Sequence, residues 1–235
     1  MWYSSGKRRQ SGDQGYMKIV IILPARGGSK GIIKKNLYPI AGHPLLWYTL
    51  NAAKNITFNA EIWVSTDDHD IKQFALENDV QVIDRPKEFA TDKATTESVL
   101  EHFTENVDYD ILVLIQPTSP LVESMDIDRG LDAVISGYDA AMSTINTNDI
   151  LLWDKSSGKA VNYNPLERGR RQTRISPFVI ETGGFFVTTR EQFLESKCRI
   201  GGRIFFVETN FWTWPQVDHP EDIKMIEALI KVRNK

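Results

Sequence analysis

Three features of the sequence predict an α/β fold, a mostly parallel twisted sheet with helices on both faces. Residues Ile19 to Leu23 form a continuous, largely β-branched apolar run, as in a strand covered on both sides. From Met17 onward, strand-like and helix-like segments alternate, which is the signature of βαβ units. A loop carrying glycines and cations follows the first strand directly, where open α/β sheets gather ligands.

In order, the pattern predicts strands at 18–24, 60–65, 80–83 and 110–115, with helices at 44–55, 68–78 and 94–106. Pro44 suits the first turn of its helix, and Thr66 or Asp67 is placed to cap the next. The pattern changes after about residue 143. Segment 150–163 reads as a hairpin around Ser156, Ser157 and Gly158, and the Pro- and Arg-rich 165–177 has no period, so 150–177 is expected to leave the sheet. Strand character returns at 178–187 and 203–207, with a short helix near 189–195 between them. Pro220 then opens a last helix with Ile223, Ile226 and Ile230 on one face. Residues 1–16 are polar and Gly/Ser-rich and are expected to be a flexible leader before a domain at 17–235.

The chain has 235 residues and is 41% hydrophobic, enough for one domain with a substantial core. Its formal net charge of −3 gives no footprint for non-specific nucleic-acid binding, so local clusters of basic residues read as ligand contacts. A single cysteine, Cys198, excludes an intramolecular disulfide and fits a cytoplasmic protein. No apolar run reaches the roughly 18 residues of a membrane span, so no membrane partner is expected.

The loop LPARGGSKGI reads as a phosphate grip. Gly27, Gly28 and Gly31 let backbone amides approach an anion, while Arg26 and Lys30 add charge on long side chains. Its spacing is neither G-x-x-x-x-G-K-[ST] nor G-x-G-x-x-G, which excludes a P-loop and a dinucleotide fingerprint. The four histidines lack metal-ligand spacing, and Asp67-Asp68 suits a helix cap. Trp212 and Trp214 read as core mass or as the wall of a sugar pocket.

This loop with Lys34-Lys35-Asn36, then VSTDD at 64–68, DRP at 84–86, LIQPTSPL at 114–121, RRQ at 170–172 and VDHPEDI at 217–223, resembles one family. It is similar to the CMP-sugar synthetases, in the acylneuraminate (nonulosonic acid) cytidylyltransferase branch, because QPTSP stands where the deoxy-octulosonate branch has QGDEP. The resemblance implies a Rossmann-like nucleotidyltransferase fold in which CTP and a nine-carbon 2-keto sugar acid give a CMP-sugar and pyrophosphate. It implies nucleotide contacts from Ala25, Arg26, Gly27, Gly28, Ser29, Lys30 and Asn36, with Arg26, Lys30 and Asn36 nearest the chemistry. Gln116, Arg171 and Gln172 are implied to touch the sugar, and 150–177 to form a homodimer contact reaching the partner's site. Mg²⁺ is implied at Asp218, a residue that also suits a helix N-cap. Gln216 replaces a second carboxylate there, and Val122 and Thr182 also depart from the family pattern. Those departures keep two alternatives open: a nucleotidyltransferase for another base or sugar acid, and a binding protein with impaired turnover.

Overall fold

The computed structural model describes residues 17–233, so the expected leader at 1–16 lies outside the described residues. The chain runs β1 (Ile19–Pro24), β2 (Pro39–Ile40), β3 (His43–Pro44), α1 (Leu45–Lys54), β4 (Ala60–Thr66), α2 (His69–Glu77), β5 (Gln81–Asp84), α3 (Thr96–Asn106) and β6 (Ile111–Ile115). It continues through α4 (Ser124–Ile135), β7 (Ala140–Asn146), β8 (Trp153–Asp154), β9 (Lys159–Ala160), β10 (Val179–Thr189), α5 (Arg190–Ser196), β11 (Ile204–Glu208) and α6 (Pro220–Arg233).

Seven strands form the main sheet in the order β11-β7-β10-β6-β1-β4-β5. Only β10 opposes its neighbours; the other pairings are parallel. The sequence-predicted fold class is therefore the observed one, with one antiparallel strand inserted. Alternation along β1 divides the core. Ile19, Ile21 and Leu23 pack with Leu46 and Leu50 of α1, Ile71 of α2 and Leu131 of α4, while Val20 and Ile22 face Leu100 and Phe103 of α3 and Phe193 of α5.

Phe103 is fully buried, with Trp63 edge-on at 5.8 Å and Tyr109 stacked at 6.2 Å between ring centroids. Phe103→Ala should therefore cost about 3–5 kcal/mol of stability, the usual range for emptying a core aromatic site. Urea unfolding checks this, and a loss below about 1 kcal/mol would contradict the packing.

Four elements escape the sequence pattern: the short β2–β3 hairpin, α4 and β7. The β8–β9 hairpin brackets Ser156–Gly158 as expected, and 165–177 contains two short 3₁₀ turns instead of helix or strand. Asp68 is the cap of α2, accepting from Ile71 N at 3.0 Å, while Thr66 Oγ1 accepts from Asp68 N. Asp67 has other work in the site.

Candidate active site

Because β1, β4, β5 and β6 run parallel, their C-terminal ends open onto one edge of the sheet. The loop after β1 crosses this edge, held by its own polar groups. Ala25 N donates to Ser65 O, Gly27 N to Asp67 Oδ1 at 3.0 Å, and Ser29 N to Gly27 O. Asn36, buried, donates its amide to Arg26 O at 2.9 Å and fixes the loop from below. A Cβ on Gly27 would lie 2.5–3.0 Å from the Asp68 side chain, so only glycine fits beside that helix cap. Gly28 meets nothing. Gly27→Ala should cost about 1 kcal/mol or more through the displaced cap, and Gly28→Ala almost none. Equal thermal shifts for the two variants would refute this account.

A cavity of about 410 Å³ lies over the loop. Arg26, Ser29, Lys30, Lys35 and Asn36 line one side; Arg85, Phe89, Asp92 and the α3 start at Thr95 and Thr96 line the other. The α3 N-terminus adds positive potential to that wall. Ala25, Gly27 and Gly28 do not line the cavity, and the amides of Ala25 and Gly27 are spent on protein acceptors. The amides of Ala25 and Gly27 thus build the loop. The amides of Gly28, Lys30 and Gly31 have no protein acceptor among the described residues.

Sequence reasoning gave no site role to two cations of this cavity, Lys35 and Arg85, or to Phe89 and Asp92. Lys34 takes a left-handed φ of 51°, which sends the adjacent lysines apart: Lys34 Nζ bonds Asp70, and Lys35 Nζ turns inward to Asp218 Oδ1 at 3.2 Å. Arg85, only 7% exposed at the end of β5, donates to Ser65 Oγ at 3.1 Å and Ser65 O at 2.6 Å. Burial lowers its pKa to about 10, so it remains a cation at neutral pH. The signal for Arg85 was positional, a basic residue just past the end of β5 within DRP, whereas Lys35 stood in the KKN run with nothing local to separate it from Lys34.

A second cavity, of about 570 Å³, adjoins the first, and Gln116 and Asp218 line both. The β10 ladder shifts register between Glu181 and Phe186, and this bulge carries Thr182 and Gly183 into the cavity wall. Trp214 lines it as well, whereas Trp212 Nε1 donates to Glu123 at 3.4 Å instead. Thr182 Oγ1 donates to Ser143 and is buried, and Val122 packs in the core. Gln216 Nε2 donates to Thr182 O at 2.8 Å and Ser119 Oγ at 3.1 Å, so the amide ties the bulge to the turn after β6.

Asp218 is 54% exposed, and Lys35 is its side-chain partner. The helix-capping alternative falls to another residue: Asp222 Oδ2 accepts from Asp218 N at 2.9 Å and His219 N at 2.7 Å. Among the described residues, no group of three or more His, Cys, Asp or Glu side chains is arranged to hold a metal. Gln172 is exposed on the excursion and, like Arg168, Arg170 and Arg174, lines neither cavity. Arg171 begins the second 3₁₀ turn of that segment.

The sequence profile of the cytidylyltransferase family matches residues 20–175. The chain belongs to the cytidylyltransferase family. It is 30% identical over 197 residues to the N-acylneuraminate cytidylyltransferase of Streptococcus agalactiae serotype III, a match covering 80% of this chain and 48% of that protein. The chain spans about half the length of the N-acylneuraminate cytidylyltransferases it matches. The pseudaminic acid cytidylyltransferase of Campylobacter jejuni is 23% identical over 234 residues, covering 93% of this chain and 99% of that one. In structure, the chain resembles CMP:2-keto-3-deoxy-manno-octonic acid synthetase, solved with CTP, at a TM-score of 0.69 and 20% identity, covering 92% of this chain and 99% of that one. It also resembles 4-diphosphocytidyl-2C-methyl-D-erythritol synthase from Anaerococcus prevotii, at 0.64 and 14%, covering 92% and 96%. Both likenesses establish the shared fold.

Proposed function

We propose that this cytidylyltransferase joins CTP to a nine-carbon 2-keto sugar acid, sialic acid or a related nonulosonate, giving the CMP-sugar and pyrophosphate. The observation that carries the reading is the pair of adjoining cavities, one faced by Arg26, Lys30 and Lys35 and the other lined by polar groups such as Glu181 and Gln216 beside the Trp214 ring, with Gln116 and Asp218 common to both. A polyphosphate suits the first and a polyol the second. Relatives named for N-acylneuraminate and for pseudaminic acid support the sugar class.

In the proposed reaction the anomeric hydroxyl attacks the α-phosphate, and pyrophosphate leaves with the bond electrons. Arg26 and Lys30 neutralise the leaving group, and the free amides of Lys30 and Gly31, which line the cavity, hold its oxygens. Asn36 acts through the loop by fixing the Arg26 carbonyl. Lys35 reaches the border of the two cavities, where the reacting groups meet. Gln116 orients the sugar and Gln216 braces that wall. No protein nucleophile is required, since positioning and charge supply the catalysis.

Mg²⁺ fits Asp218, an accessible carboxylate beside the phosphate cavity, because this ion commonly takes one or two protein carboxylates and completes its shell with phosphates and water. When bound, it would neutralise phosphate charge. We further propose that residues 17–235 are the nucleotidyltransferase unit, that it works in the cytoplasm as a homodimer, and that 150–177, carrying Arg171 and Gln172, is the arm meeting the partner. The described residues contain no helix long and apolar enough to cross a membrane. The decisive experiment is a panel of four nucleoside triphosphates against several 2-keto sugar acids, read by pyrophosphate release and product mass. Formation of a CMP-nonulosonate is expected; its absence with every pair would overturn the proposal.

A further inference from the structure

We propose that Asp92 is an internal counter-anion of the phosphate grip, so that a polyphosphate must displace it in order to bind. The inference rests on the reading of Arg26 and Lys30 as that grip. Asp92 divides its carboxylate between them: Oδ1 lies 2.9 Å from Arg26 Nη2, and Oδ2 lies 2.5 Å from Lys30 Nζ. Arg26 Nη1 adds a bond to Ala90 O at 3.3 Å. All three contacts tie the loop after β1 to one short segment across the cavity.

That segment is built to let Asp92 move while its ends stay in place. On one side Phe89 packs against the α3 core and lies 5.7 Å from the His102 ring. On the other, Thr95 caps α3 by accepting from Ser98 N at 3.1 Å. Asp92 stands between these anchors with its side chain 42% exposed, and its hydrogen-bond and ion-pair partners are Arg26 and Lys30. The two cations hold its carboxyl below the usual carboxylate range, so the competitor is ionised at neutral pH.

The physical consequence follows from competition. A tethered carboxylate brings one negative charge, whereas pyrophosphate or a nucleoside triphosphate brings several and reaches both cations and the loop amides. The incoming ligand wins, but its apparent affinity is reduced by the fraction of molecules in which Asp92 holds the grip. When pyrophosphate departs as product, the same carboxylate is at hand to replace it. Asp92 would thus weaken binding of exactly those anions that the cavity is shaped to hold.

Titration calorimetry with inorganic pyrophosphate tests this on the full chain. Asp92→Asn is expected to bind about three- to tenfold more tightly than wild type, as removal of a tethered competitor requires. Asp92→Ala should shift the same way, and Glu88→Gln, which removes a nearby carboxylate outside the cavity lining, should not. A purely structural role for Asp92 predicts the opposite sign, because losing a brace loosens the site. If wild type binds pyrophosphate and both Asp92 variants bind equally or more weakly, the inference is overturned while the phosphate grip stands. If neither pyrophosphate nor CTP binds to any form, the grip reading fails and this inference fails with it.

Discussion

Arg26→Ala and Lys30→Ala are each expected to reduce CTP-dependent pyrophosphate release by about 10²-fold or more, the usual consequence of removing a charged partner from a developing oxyanion. The fold should survive both. The Lys30 side chain is 83% exposed and has Asp92 as its ion-pair partner, so its removal empties no core space. Arg26 holds Ala90 O and Asp92, two surface contacts of little net value to stability in water. Arg26→Lys divides the effect further: it keeps the charge and loses the planar fork, so an intermediate rate is expected. Thermal unfolding of the same samples establishes that loss of rate is not loss of structure. Near-normal turnover in both alanine variants would remove the phosphate grip from the reaction.

The cationic loop after β1 was legible because two strong signals adjoin within a few residues, a strand apolar on both faces and a run rich in glycine and positive charge. The missed elements lack such contrast. Helix α4 carries Asp126, Asp128 and Asp132, and its period is broken by Gly130. A Cβ at Gly130 would stand 3.1 Å from both Phe185 and Val187, tighter than ordinary contact, so glycine suits the close helix-to-sheet packing there. Strand β7 is buried with Ser143 and Thr144 at its centre. Their hydroxyls are satisfied by Phe185 O and Val207 O, contacts supplied by strands 42 and 63 residues away in sequence. No local pattern encodes those partners.

The same limit applies within the site. Asn36 and Gln116 were identified by resemblance, yet Asn36 proves to work on the Arg26 carbonyl, a fact of loop geometry. Lys34 and Lys35 are chemically identical neighbours in the sequence, and only the left-handed turn at Lys34 decides which one enters the cavity. For Gln216, the sequence offered a missing carboxylate; the structure gives it a positive task, since its amide holds the Thr182 carbonyl 34 residues away. Aspartate at this position would lose that donor and set an anion against a carbonyl. The substitution that looks restorative by sequence is therefore expected to loosen the wall of the second cavity.

Asp218→Asn is expected to lower turnover by about 10²-fold or more, comparable to the loss of another preorganised electrostatic group, without measurable loss of stability. Stability should hold because Asp222, not Asp218, supplies the carboxylate that satisfies the amides at the start of α6. Asp222→Asn gives the complementary result: about 1 kcal/mol of lost stability, as for a weakened helix cap, with a smaller effect on rate. The acid dependence of that contribution has a definite sign. The backbone amide of His219, then burial opposing it and the amide of Asp218, leave the Asp222 carboxyl with a lowered pKa. Its stabilising contribution is thus present above the unfolded carboxylate value and disappears as pH falls through the folded one. Asp222→Asn should remove this part of the acid dependence, and Asp218→Asn should leave it intact. Mg²⁺ titration completes the comparison, because the half-maximal concentration should rise for Asp218→Asn through loss of an anionic donor. Full turnover with an unchanged Mg²⁺ requirement in Asp218→Asn would take this carboxylate out of the reaction and leave it as the partner of Lys35 alone.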